Sequence, residues 1–118
     1  MRSERLLDHF RNPRNVGELP APAIRIEVVN PACGDILRLS ARLLEGRIAD
    51  AAFKVRGCPA SIAAGSALTE LIAGKTQSEL QAVQASDIES ALDGLEPASK
   101  HAAQLCVDAV KALLTQLA

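Results

Sequence analysis

Cys33-Gly34-Asp35-Ile36-Leu37-Arg38-Leu39-Ser40-Ala41-Arg42-Leu43-Leu44-Glu45-Gly46-Arg47-Ile48-Ala49-Asp50-Ala51-Ala52-Phe53-Lys54-Val55-Arg56-Gly57-Cys58 reads as one β-hairpin with a cysteine at each end. Leu37, Leu39, Ala41 and Leu43 alternate with Arg38, Ser40 and Arg42, and Ala49, Ala51, Phe53 and Val55 repeat the pattern. Strict alternation is the period of a half-buried strand. Glu45-Gly46 breaks the two runs as a two-residue turn, which pairs Leu44 with Arg47. Carried to the strand ends, that register sets Cys33 directly opposite Cys58, on one face and with Cβ atoms about 5 Å apart. Two thiols at one end of a sheet, each beside a glycine, can make a metal edge, a disulfide or a redox pair.

Working outward, Ile24, Ile26 and Val28 alternate with Arg25 and Glu27 as a preceding strand, ended by Asn30-Pro31. Three short sequential strands joined by tight connections pair antiparallel as a meander. Before them, Ser3 caps a helix with Leu6, Leu7 and Phe10 on one face, ended by Pro13. From Pro59 the period turns helical. An Ala-rich helix ends at Gly74, Thr76-Gln77-Ser78-Glu79 and Ser86-Asp87-Ile88-Glu89 read as capping boxes, and a last helix runs from about Ala98 to Leu117. Its core-facing residues are Leu105, Ala109, Ala112, Leu113 and Gln116. Strands first and helices after give an α+β fold: a three-stranded antiparallel sheet with helices packed on one face.

The chain of 118 residues reads as one domain, residues 1–118, with room for a single core. Its 48% hydrophobic content is that of a globular protein, and with only 2% aromatics the core is Leu, Ile, Val and Ala. Thirteen basic against fourteen acidic residues leave a net charge of −1, which argues against nucleic acid or an anionic membrane as partner. No apolar run approaches a membrane span. Met1-Arg2-Ser3-Glu4-Arg5 leads into a helix rather than a signal-peptide apolar region, so the expected compartment is cytoplasmic. Three cysteines in a reducing compartment favour metal or reactive-thiol chemistry over a structural disulfide.

Cys58-Pro59 is a strand-to-helix junction. Proline suits the first helical turn, which puts Cys58 at or near the N-cap, where the positive end of the helix dipole favours a thiolate. Cys33 stands in a loop with Gly34 and Asp35. Asp35 is a hard oxygen ligand, an outer partner or simply a turn-forming acid. His101 lies in the first turns of the last helix. Cys106 is five residues further, about 500° of rotation away, and shares the apolar stripe of Ala102, Leu105 and Ala109. It reads as a buried apolar thiol and only weakly as a ligand. Cys33, Cys58 and a helical His or Cys, with Asp35 as a fourth donor, suit zinc or an iron–sulfur cluster better than magnesium or calcium.

These residues also match a known family. Asp8-His9-Phe10-Arg11-Asn12-Pro13-Arg14-Asn15-Val16-Gly17 resembles the N-terminal signature of IscU/NifU-type iron–sulfur cluster assembly scaffolds. Pro31-Ala32-Cys33-Gly34-Asp35 is similar to their first ligand motif, and Gly57-Cys58 with the Ala/Ser-rich Ala60–Ser66 to their second. Leu68-Thr69-Glu70 and Gly74-Lys75-Thr76 resemble the segment that follows. With no long insertion after Gly74-Lys75, the chain looks more like the IscU branch than the zinc-binding SufU branch.

The resemblance implies a scaffold or carrier rather than an enzyme. It implies that iron or a [2Fe–2S] cluster is held on Cys33, Cys58, His101 and Asp35, with Asp35 making the cluster labile. It implies a cysteine desulfurase as sulfur source and apo iron–sulfur proteins as recipients. One site departs from the family pattern: where His-Cys is usual the chain has His101-Ala102, so the third ligand cysteine, also implicated as persulfide acceptor, is absent. Leu95-Glu96-Pro97-Ala98-Ser99 stands where the chaperone-recognition stretch is usual, so the resemblance leaves recognition by an Hsp70-type chaperone open; a frataxin-like partner is left open separately. Two alternatives accompany this reading: a zinc-binding protein of the same fold that modulates a desulfurase without building clusters, and a redox protein using a Cys33–Cys58 disulfide.

Overall fold

The computed structural model describes residues 3–117; Met1 and Arg2, read above as leading into the first helix, lie outside the described residues. Helix α1 (Glu4–Arg11) is followed by strands β1 (Ile24–Val29), β2 (Ile36–Leu44) and β3 (Arg47–Arg56). Helices α2 (Pro59–Ile72), α3 (Gln77–Gln81), α4 (Ala85–Ala91) and α5 (Lys100–Leu117) complete the chain, with a 3₁₀ turn at Pro97–Ser99 before α5. The strands form one antiparallel sheet in the order β1-β2-β3. The expected α+β architecture is therefore present. No helix among the described residues is long and apolar enough to cross a membrane.

The alternation of β2 decides the layers. Leu37, Leu39 and Ala41 are buried, as are Ile48 and Phe53 of β3, and they face α2 and α5. The helices supply Ala63, Ala64, Leu68, Ile72, Leu105, Ala109 and Leu113 to the same core. Each fully buried Leu or Ile contributes about 1.5–3 kcal/mol over exposure, so this small-residue core gains its stability from close packing rather than from aromatic area. Gly65 marks the tightest approach: a Cβ there would stand 2.5 Å from Phe53 Cδ2. The outer edge of β3 is also covered. Phe53 exchanges backbone hydrogen bonds with Asn15 and Gly17, and Ile48 does so with Gly74 and Lys75. No long row of unpaired strand groups is left there for another chain to join.

The hairpin turn is as expected: Glu45 and Gly46 have φ of 54° and 78°, and Leu44 pairs with Arg47. The register at the far end is not. A bulge lets Leu43 pair with Ile48 but Arg42 with Asp50, so Ala49 is an extra residue. Every later pair shifts by one, ending at Ile36 with Arg56. Continued past the strand ends, this sets Asp35 against Gly57 and corrects the expectation that Cys33 faces Cys58. Three smaller expectations also change. Helix α1 turns Leu6 and His9 inward, with Leu7 only partly covered. The second cap is Gln84, whose N–H donates to the Asp87 carboxylate at 2.8 Å, while Ser86 lies inside α4. Gln116 is exposed on α5 and Val110 is buried, while Ala102 and Cys106 are buried as expected.

The N-terminal signature serves the fold. Arg14 N–H donates to Ser66 Oγ at 2.9 Å, and Asn15 Nδ2 donates to Thr69 Oγ1 at 3.1 Å. His9 Nδ1 lies 2.7 Å from the same Ser66 hydroxyl. Asp8–Gly17 and the Ser66–Glu70 part of α2 are thus one docking surface, which ties the loop before β1 onto the helix that begins at Cys58.

Candidate metal centre

Three connections end at one point: the β1–β2 loop carrying Cys33 and Asp35, the β3–α2 junction carrying Cys58, and the first turn of α5 carrying His101. Cys58 is the N-cap of α2, with φ −72°, ψ 160° and Pro59 behind it in the first turn. Its thiol makes no capping hydrogen bond. It turns outward, with Sγ 3.4 Å from His101 Nε2 and 3.3 Å from Ser61 Oγ.

His101 is half-buried, and its other nitrogen, Nδ1, lies 3.1 Å from the Ala98 carbonyl. A carbonyl only accepts, so Nδ1 carries a proton and donates, and Nε2 is the nitrogen turned toward the site. That is how an imidazole is held ready for a metal, with the second nitrogen fixing tautomer and ring angle.

Asp35 is 6% exposed, and its Oδ2 lies 3.4 Å from His101 Nε2. The same oxygen accepts from the Ser61 hydroxyl at 2.6 Å and from the Cys58 N–H at 3.3 Å. Burial alone would push this carboxyl up. Hydrogen bonds from Ser61, from the Cys58 thiol and N–H, and from the Cys33 thiol outweigh it and hold Asp35 below the usual 3.8. The first turn of α2 has no acidic residue of its own, and Asp35 supplies negative charge at that helix end from across the sheet.

Cys33 is exposed on its loop, yet its Sγ, an Asp35 oxygen and a His101 nitrogen all lie within 4.8 Å of one another. Bonds of about 2.0–2.3 Å put neighbouring donors of one tetrahedral ion about 3.3–3.8 Å apart. The two 3.4 Å separations around His101 Nε2 already match, and the trio of Cys33, Asp35 and His101 needs to close by about 1 Å, while Cys58 joins the group through His101. Two sulfurs, an imidazole and a carboxylate form a donor set fit for iron or zinc.

Cys106 stands apart from this group. It is 1% exposed among core residues, and burial pushes its thiol up to about 12. Ala102, in the position where a further cysteine was sought, is completely buried. Sequence reasoning found Cys33, Asp35, Cys58 and His101 and missed Ser61, which is 2% exposed. The available signal was a hydroxyl in the apolar first turns of α2, because a buried hydroxyl needs a partner.

Residues 1–117 match the family model described as "NifU-like N terminal domain". The chain is 40% identical over 116 residues to the iron–sulfur cluster assembly scaffold protein IscU of Escherichia coli strain K12, covering 95% of this chain and 90% of the relative. It is 41% identical over 114 residues to the protein of the same name from Azotobacter vinelandii, covering 93% and 88%. Among solved structures it is similar to a candidate iron–sulfur cluster assembly scaffold for the SUF system from Fervidobacterium islandicum, with a TM-score of 0.78, 22% identity and 96% of each chain covered. At that identity the likeness speaks for the fold alone.

Proposed function

The chain belongs to the NifU-like N-terminal domain family, and from that premise we propose that it is an iron–sulfur cluster assembly scaffold that holds iron or a [2Fe–2S] cluster on Cys33, Cys58, His101 and Asp35. The observation that carries this reading is the convergence of those four side chains at one end of the sheet, with His101 Nε2 3.4 Å from both Cys58 Sγ and Asp35 Oδ2. The cluster is cargo. Cys33 and Cys58 supply thiolate, His101 supplies Nε2, and Asp35 supplies a hard oxygen that exchanges more readily than sulfur. The exposed Cys33 lets cargo enter and leave from solvent or from a docked partner. Sulfur comes from a cysteine desulfurase, and apo iron–sulfur proteins receive the product.

The missing third thiolate gives this site its own character. Ala102 is buried and Cys106 is sealed in the core, so the last helix contributes imidazole alone. The zinc-binding and disulfide readings draw no support from the relatives, which carry scaffold names.

The test is anaerobic assembly with ferrous salt, cysteine, a cysteine desulfurase and a thiol reductant that supplies the electrons taking persulfide sulfur to sulfide, followed by iron and sulfide analysis and a visible spectrum. Equal iron and acid-labile sulfide with a coloured product is the expected result. A colourless protein with one tightly held zinc, or a metal-free protein with a reversible Cys33–Cys58 disulfide, would overturn it.

A further inference from the structure

Ser61 has no donor role among the four candidate ligands, yet it touches two of them. Its Oγ lies 2.6 Å from Asp35 Oδ2 and 3.3 Å from Cys58 Sγ, and the residue is 2% exposed. Ser61 is the third residue of α2, so no helical turn precedes it to take its hydroxyl. Ser61 instead reaches to a residue 26 positions earlier, in the loop before β2. It has one proton to give. The 2.6 Å contact, to a group that only accepts when ionised, receives it.

The other contacts of Asp35 are longer or weaker. Its carboxyl packs against the Gly57 backbone, Oδ2 also accepts from the Cys58 N–H at a long 3.3 Å and lies 3.4 Å from His101 Nε2, and the Cys33 and Cys58 thiols are weak donors. The Ser61 hydroxyl is the short bond, and α2, anchored in the core by Ala63, Ala64, Leu68 and Ile72, holds it in place. An aspartate side chain turns freely about two bonds unless something stops it.

We propose that Ser61 is a positioning residue: its hydroxyl holds the Asp35 carboxylate where Cys33, Cys58 and His101 converge, so that Asp35 can ligate the same metal. This rests on the metal-site reading above and adds the group that makes Asp35 part of the site. Without the hydroxyl, the carboxylate would be free to swing into solvent, and the site would drop to three donors and water.

The experiment uses Co²⁺ as probe, followed by thiolate-to-cobalt charge-transfer and d–d absorption, with affinity from chelator competition. The proteins are the parent, Ser61→Ala, Ser61→Thr, Asp35→Ala and the Ser61→Ala/Asp35→Ala double variant, each checked by thermal unfolding. Ser61→Ala should weaken binding roughly tenfold, as loss of an outer partner does, and move its d–d bands toward those of Asp35→Ala. Ser61→Thr, which keeps the hydroxyl, should restore both. In the Asp35→Ala background, Ser61→Ala should change nothing further. Unchanged or tighter binding in Ser61→Ala, or an equal loss whether or not Asp35 is present, would overturn the inference while leaving the metal site standing. Absence of thiolate-to-cobalt absorption in the parent would instead overturn the site itself.

Discussion

The Asp35 carboxyl fills the space beside Gly57: a Cβ on Gly57 would lie 2.4 Å from Asp35 Cγ and 2.7 and 2.8 Å from its two oxygens. The glycine is required by this close approach, since its φ is not among the positive values. Gly57→Ala should force Asp35 off its Ser61 bond, cost roughly 1–3 kcal/mol of stability and lower Co²⁺ affinity roughly tenfold. Gly65→Ala is the matched control, because its Cβ would strike Phe53 in the core instead. It should cost similar stability with metal affinity unchanged. Denaturant unfolding and chelator competition on both variants measure this, and equal affinity losses would contradict it.

His101 and Cys106 should separate cleanly. His101→Ala removes a donor and should weaken metal binding by roughly 100-fold or more, beyond what outer partners contribute. Cys106→Ala empties a small buried space, at a cost of about 1 kcal/mol, and should leave binding intact. If Cys106→Ala abolishes binding and His101→Ala does not, the buried thiol has moved into the site.

The three cysteines should label in order of exposure. Cys33 is exposed, Cys58 is half-buried, and Cys106 is enclosed with its thiol pushed up to about 12. Pulsed alkylation of metal-free protein, read by mass spectrometry, should modify Cys33 and Cys58 while Cys106 stays unmodified until denaturant is added. Early labelling of Cys106 would mean that α5 opens far more readily than its packing implies.

His9 should make the fold acid-sensitive. Burial, with Arg14 adding to it, lowers its value below the ordinary 6.5 against the opposing pull of Glu70, whose Oε1 lies 3.5 Å from Nε2. The unfolded chain therefore takes up this proton first as pH falls. The stability His9 contributes is fully present above about pH 6.5 and is lost as pH drops through the lowered folded value. The melting temperature of the parent should fall more steeply between pH 7 and pH 5 than that of His9→Gln. Parallel curves would remove His9 as the cause.

Much of this protein follows from local sequence. Alternation along Ile36–Leu44, the Glu45-Gly46 turn, the Thr76 capping box and the Cys58-Pro59 helix start each depend on residues a few positions apart, and each appears where it was expected, whereas in β3 the bulge leaves Ala49 exposed and Ile48 buried. The donor types were equally legible, because two thiols, an imidazole and an acid declare their chemistry wherever they stand. Tertiary structure decided their arrangement. The bulge at Ala49 has no side-chain signature, yet it moves the register by one and puts Asp35 rather than Gly34 across from Gly57. His101 meets Cys58 across 43 residues, and Ser61 meets Asp35 across 26. Those contacts exist because α5 and α2 bury their apolar stripes against the same sheet. Such packing depends on the whole core at once, so no short stretch of the chain encodes it.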